Sequence, residues 1–136
     1  MTIRTNALPA VLIASFALFA AILPGRAAAQ DVEAGQKSFA KCRACHQIGE
    51  GAKNMTGPHL NGLFSRKAGE VAGYAYSAAN KNSGIAWSPE SFANYIKDPR
   101  GVIPNTKMVF PGIRNETEIA NLTAFLAQYA PDGKKK

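Results

Sequence analysis

Cys42-Arg43-Ala44-Cys45-His46 is the stretch on which the reading of this chain turns. Two thiols three residues apart at the end of a helix face the same way, and the imidazole that follows comes in beside them. The spacing is C-x-x-C-H, in which the two thiols add to the two vinyl groups of one porphyrin and the histidine reaches its iron, a c-type haem attachment. Three other uses of these residues fit less well. A thioredoxin-like redox pair sits in a strand–helix–strand setting, and no alternating run long enough for such strands is visible. A closed zinc site takes four ligands. With His59 as the one remaining histidine, zinc would consume every Cys and His in the chain. A disulfide between Cys42 and Cys45 leaves His46 unexplained, and an exported domain stapled by disulfides usually carries four or more cysteines where this one has two.

Upstream of that motif the chain reads as a leader. Arg4 gives a positive start, Ala7 to Leu23 is apolar or small apart from Pro9 and Ser15, and Pro24-Gly25-Arg26 breaks the run. Ala27-Ala28-Ala29 then supplies the small residues of a cleavage site, so residues 1–29 are expected to be a signal peptide. The alternative, a retained membrane anchor, would have only that 17-residue stretch, the short end for a spanning helix. Removing 29 of 136 residues leaves 107, one domain (residues 30–136) with room for only a small core. Export implies the periplasm. The formal charge of +7 becomes +5 without Arg4 and Arg26, a balance that favours acidic protein partners. No basic run is interleaved with stacking aromatics, which sets nucleic acid aside. Lys134-Lys135-Lys136 reads as a frayed, solvated tail.

Downstream the signals are helical, short and separated by Gly- and Pro-rich loops. A first helix is expected from Asp31, a capping carboxylate, with Val32, Gly35 and Phe39 on one face, running into Cys42. Residues 49–73 read as loop with a short turn near Leu60 to Phe64, and a brief helix covers Ser77 to Asn82. Ser88 as N-cap, Pro89 at the first position and Glu90 in the first turn start another helix. It turns Phe92, Tyr95 and Ile96 inward and stops before Asp98-Pro99. Asn115 with Glu118 three residues on forms a capping-box pattern. Ile119, Leu122, Phe125, Leu126 and Tyr129 then make one apolar stripe, closed by Pro131 and Gly133. The plan is all-α, with too many loops for a compact bundle, so a cofactor is expected to fill the middle.

An electron-carrying iron takes a sixth ligand, and Met55, His59 and Met108 are the candidates. Met55 and His59 follow His46 closely, which favours the His46 side of the ring. Met108 lies 62 residues beyond His46, enough chain to reach the other face. A lone Met is also a common filler of core gaps, so spacing leaves the choice open.

Four longer stretches carry a resemblance. Cys-Arg-Ala-Cys-His (42–46), Thr-Gly-Pro-His-Leu-Asn-Gly-Leu-Phe-Ser-Arg-Lys-Ala-Gly (56–69), Tyr-Ser-Ala-Ala-Asn-Lys-Asn-Ser-Gly-Ile-Ala-Trp (76–87) and Ile-Pro-Asn-Thr-Lys-Met-Val-Phe-Pro-Gly-Ile (103–113) together resemble the class I c-type cytochromes. That family comprises mitochondrial cytochrome c and its bacterial respiratory and photosynthetic relatives. The resemblance implies a cytochrome c fold, short helices and long loops wrapped around one covalently bound haem c. It makes Cys42 and Cys45 the attachment points and His46 and Met108 the axial iron ligands. Pro58 would offer its carbonyl to His46, Tyr95 would sit beside the Met108 sulfur, and Trp87 would reach a propionate. Arg66, Tyr76, Asn80 and Thr106 would join that propionate and buried-water network. Gly35 and Phe39 would meet Leu122 and Phe125 where the first and last helices cross. The chain departs from the pattern at His59 and Asn61, both expected on the surface, and at Ser65 and Asn105, which stand where Gly is common. Asn tolerates the left-handed conformation, so Asn105 need not break the Met108 loop.

The function implied is one-electron transfer with no small-molecule substrate. The carrier would be a monomer that meets membranes only through partner complexes: a quinol-oxidising cytochrome complex, and a terminal oxidase or photosynthetic reaction centre. Lys41 and Lys107, joined by Lys53 and Lys81, would ring the haem edge and meet acidic patches on those partners. Two alternatives differ in class. A dedicated cytochrome subunit of a periplasmic dehydrogenase would hold the same haem in a fixed complex. A haem peroxidase would need a displaceable sixth ligand, against which the Pro104-to-Met108 segment argues.

Overall fold

The computed structural model describes Thr2 and residues 30–136, so the leader expected over residues 1–29 lies outside the described residues. Five α-helices follow in order: α1 (Val32–Phe39), α2 (Ala78–Asn82), α3 (Pro89–Lys97), α4 (Pro99–Val102) and α5 (Glu116–Ala127), with a 3-10 turn at Leu63–Ser65 between α1 and α2. Among the described residues there is no β-strand, only the isolated bridges Lys67–Ala86 and Tyr129–Lys135. No helix among them is long and apolar enough to cross a membrane.

Each helix start follows from a side chain that accepts an otherwise unpaired backbone N–H. Asp31 accepts from Ala34, Ser77 from Asn80, Ser88 from Ser91 and Asn115 from Glu118. Ser88 and Ser91 form a reciprocal capping box. The box expected at Asn115 is only half formed, because the Glu118 carboxylate turns instead to Ser38 and Lys41. Helix α1 ends at Phe39, short of Cys42. Beyond it the chain tightens into three-residue turns, with Lys41 N bonded to Ser38 O and Cys42 N to Phe39 O. Helix α4 was not expected: Asp98 ends α3 and caps α4 through Gly101 N, with Pro99 at its first position.

Helices α1 and α5 cross at Gly35, where a Cβ would overlap the Asn121 carbonyl and the Phe125 Cβ. That close approach brings Phe39 and Phe125 to 5.4 Å between ring centroids. The Asp31 amide bonds the Asn121 side chain at 2.8 Å. Phe92 and Ile96 of α3 and Leu63 of the 3-10 turn complete one core with Ile119, Leu122 and Leu126. Burying side chains of this size is worth about 1.5–3 kcal/mol each.

The long loops are held by side chains bonding to backbone. Asn61, expected on the surface, is buried at 5% exposure, its amide accepting from Gly49 N and donating to Gly49 O. A polar side chain that meets both backbone groups of a turn keeps its bonds when buried. His59 is half-buried, and its Nδ1 is buried without a partner. Asn105 adopts φ 65°, the left-handed conformation expected of it. The C-terminus is not frayed: Lys136 N bonds Gln128 O at 2.8 Å, and the Lys135 ammonium lies 5.7 Å from the Tyr129 ring centroid.

Candidate cofactor site

The residues that the resemblance assigns to the cofactor and its iron all line one cavity of about 350 Å³. Cys42, Cys45 and His46 enter it from the turns after α1, and Pro58 and Arg66 from the loop that follows. Tyr76 and Asn80 come from around α2, Trp87 and Tyr95 from α3 and its approach, and Thr106 and Met108 from the loop before α5. Met55 and His59 do not line it. Met55 instead borders a separate surface recess that includes His46, on the side expected of it. Lys41 and Lys107 line the cavity, whereas Lys53 and Lys81 are exposed outside it.

His46 is oriented before any ligand is considered. Its Nδ1 lies 2.6 Å from the Pro58 carbonyl, so that nitrogen carries the proton and Nε2 keeps its lone pair. Burial lowers the His46 pKa and so favours the neutral ring that a metal requires, with the Pro58 bond opposing. Gly57 lies against this ring, and a Cβ there would overlap it. Gly57 was not singled out from the sequence, although it stands beside Pro58 in a quoted segment.

The Met108 thioether accepts from Tyr95 Oη at 3.1 Å, and the Met108 amide donates to Thr106 Oγ1 at 3.2 Å. Thr106 Oγ1 in turn donates to Asn80 Oδ1 at 2.9 Å, and Ser77 Oγ donates to the same oxygen. Burial raises the Tyr95 pKa, against a smaller opposing effect from Thr106, so the phenol stays protonated and able to donate. Trp87 packs edge-on against the Tyr95 ring at 5.0 Å. Arg66 spans two carbonyls, donating from Nη1 to Asn61 O at 2.6 Å and from Nη2 to His59 O at 2.8 Å. Tyr74 was missed from the sequence. It lines the cavity, packs edge-on against Tyr76, and donates to the Thr56 carbonyl. Only its place among aromatics beside Tyr76 could have marked it.

These residues fit a covalently held metal porphyrin better than the other chemistries of C-x-x-C-H. No disulfide joins Cys42 and Cys45, and burial raises the Cys42 pKa to about 11, with Lys41 opposing. A reactive dithiol pair needs a depressed thiol pKa instead. Among the described residues no cluster of three His, Cys, Asp or Glu side chains could hold a zinc ion. A mostly apolar cleft with an imidazole and a thioether, each oriented by a hydrogen bond, suits a flat apolar group with a soft, borderline metal.

The family model for cytochrome c matches residues 32–130. The chain belongs to the cytochrome c family. Within it, the chain is similar to a cytochrome c2 of Rhodoplanes tepidamans, 61% identical over 107 residues, which are 79% of this chain and all of the relative. A cytochrome c2 of Blastochloris viridis is 51% identical, covering 89% of this chain and 94% of the relative. A cytochrome c-550 of Bradyrhizobium diazoefficiens is 61% identical over 76% of each chain. Among solved structures, cytochrome cH from Methylobacterium extorquens superposes with a TM-score of 0.67 at 42% identity, covering 71% of this chain and 97% of that one. The chain is thus a class I c-type cytochrome, an electron carrier that binds one covalently attached haem c.

Proposed function

We propose that this cytochrome carries single electrons in the periplasm, with its haem attached through Cys42 and Cys45 and ligated by His46 and Met108. The carrying observation is that one cavity receives an imidazole and a thioether, each already held by a hydrogen bond from Pro58 or Tyr95. The bound haem supplies an iron that gains or loses one electron without making a bond to substrate. The protein's part is to keep both ligands from moving as the charge changes. Pro58 fixes the imidazole's orientation, and Tyr95 and Thr106 fix the Met108 thioether and its backbone. Arg66, Tyr76 and Trp87 offer polar atoms to the propionates, and the apolar lining keeps water away.

With His46 and Met108 both given to the iron, no position would be open to peroxide, so the reading is a carrier rather than an enzyme. Lys41 and Lys107 at the cavity's rim are the start of a basic docking face for acidic patches on a donor and an acceptor. The donor fits a quinol-oxidising cytochrome complex, and the acceptor a terminal oxidase or a photosynthetic reaction centre. Residues 1–29 would direct export and be removed, leaving a monomer that diffuses between them.

The test uses the protein purified from its host. It should run as a monomer, keep its colour through denaturation and acid–organic extraction, and show a low-spin spectrum in both oxidation states. A redox titration should fit one electron. Haem that is extracted from the intact chain would remove the thioether assignment, and a high-spin ferric spectrum would remove the two-ligand reading.

A further inference from the structure

Lys41 and Lys107 both reach the cavity's rim, but they are held differently. Lys107 Nζ donates to the Ala75 carbonyl at 3.0 Å, a neutral acceptor, so its charge stays available to a partner. Lys41 Nζ lies 2.5 Å from Glu118 Oε1. The Lys41 side chain is 53% exposed and that of Glu118 only 27%. The same carboxylate oxygen accepts from the buried Ser38 hydroxyl. Glu118 is therefore anchored on its protein side by α1, while Lys41 covers it on its solvent side. The hydrogen bonds from Lys41 and Ser38 lower the Glu118 pKa, so it is charged at neutral pH. The other lysine pairs, Lys37–Glu33, Lys97–Glu116 and Lys134–Asp132, have no member lining the cavity.

We propose that Glu118 is an internal competitor for Lys41: an acidic partner must displace it before Lys41 can join the docking contact. The inference rests on the reading of the cavity's rim as the docking face. Ion pairs this exposed are weak enough to exchange. Ser38 holds the carboxylate in place when Lys41 swings out, so Lys41 is recaptured when the partner leaves. A carrier must leave as readily as it docks, and an internal carboxylate that reclaims the lysine favours release. Glu118 also discriminates among partners, because only one with dense negative charge opposite Lys41 displaces it. Lys107 attracts any anion at the rim, whereas Lys41 answers to strong ones.

The test measures oxidation of the ferrous holoprotein by hexacyanoferrate(III) in stopped flow, at low and high ionic strength, with each variant's potential measured to correct for driving force. Glu116→Gln matches the charge change of Glu118→Gln but frees Lys97, away from the rim. At low salt Glu118→Gln should react roughly threefold faster than Glu116→Gln, the scale of one uncovered charge in water. The gain should vanish in a Lys41→Gln background and near 1 M salt, where screening acts within about 3 Å. In the wild type, Lys41→Gln should slow the reaction less than Lys107→Gln, and in the Glu118→Gln background the two should slow it equally. That second comparison decides the matter even if Glu118→Gln shifts the α1–α5 packing. If the wild-type rate falls with salt but Glu118→Gln only equals Glu116→Gln, the competitor is wrong and the docking face stands. A wild-type rate indifferent to salt overturns the docking face, and the competitor with it.

Discussion

Met108 is fixed at two points, its sulfur by Tyr95 Oη at 3.1 Å and its amide by Thr106 Oγ1 at 3.2 Å. Loss of the side chain therefore removes a ligand from a loop whose backbone is still tied through Thr106 to Asn80. In Met108→Ala the iron is expected to lose its sixth ligand or to take water or a nearby Lys. Each of these favours the ferric state relative to a thioether. The potential should fall by on the order of 0.1 V, within the ~0.8 V that axial ligation spans. A water-bound or vacant site should gain peroxide reactivity, and Lys capture should suppress it. Met55, 44% exposed and outside the cavity, is the control. Met55→Ala should change neither spectrum nor potential, and the reverse pattern would mean the wrong sulfur was chosen. Spacing alone favoured Met108 only slightly, and the resemblance of residues 103–113 decided the choice of sulfur. Asn61 was misjudged, because its burial depends on the turn at Gly49, a partner 12 residues away that no local pattern announces.

Helix starts were legible because each depends on one side chain and a backbone group three residues on. Asp31, Ser88 and Asn115 cap as expected, and Ser77, expected as the first residue of its helix, caps it instead. Beyond the cap, distant groups decide where a side chain goes. Glu118 had a local role open to it at the Asn115 box, yet Ser38 and Lys41 draw it across to α1. Helix α4 escaped because Asp98-Pro99 reads as a stop, and the same pair also caps and starts a new turn. The α1–α5 crossing makes a sharper prediction. A Cβ at Gly35 meets the Asn121 backbone, which cannot rotate away as a flexible side chain would. Gly35→Ala should therefore cost roughly 3 kcal/mol, the upper end for overpacking. By the usual scaling for a domain of about 100 residues this lowers Tm by about 12–24 °C. The measurement is thermal unfolding of the holoprotein followed by far-UV circular dichroism. A Tm within 3–4 °C of wild type, about the error of such scaling, would mean that the two helices can separate cheaply.

The molecule as a whole has a core that shares its walls with the cavity. Leu63, Phe92, Ile96 and Leu126 belong to the buried cluster and also line the 350 Å³ space. The sequence already hinted at this, since the four short helices expected from it, with long loops between them, offer too little apolar surface to close on themselves. The size and position of the cavity came only with the fold, because they depend on loops whose course is set by Asn61 and Asn54 bonding to distant backbone. At about 24 cal/mol per Å³, an unfilled space of this volume costs at most about 8 kcal/mol. Water entering from the open side lowers that cost, but it would also wet the shared core walls. Net stabilities of small domains are only about 5–15 kcal/mol, so even part of that cost is a large share of the whole. The chain without haem should therefore be largely unfolded. Expressed in a cytoplasm that lacks haem attachment, or as Cys42→Ser with Cys45→Ser, it should show weak far-UV helical signal and no cooperative thermal transition. The α1–α5 contact could persist alone, because Gly35, Phe39 and Phe125 do not line the cavity. Residual helix that melts broadly fits that contact, whereas native helix content with a sharp transition would show that the polypeptide core suffices without its cofactor.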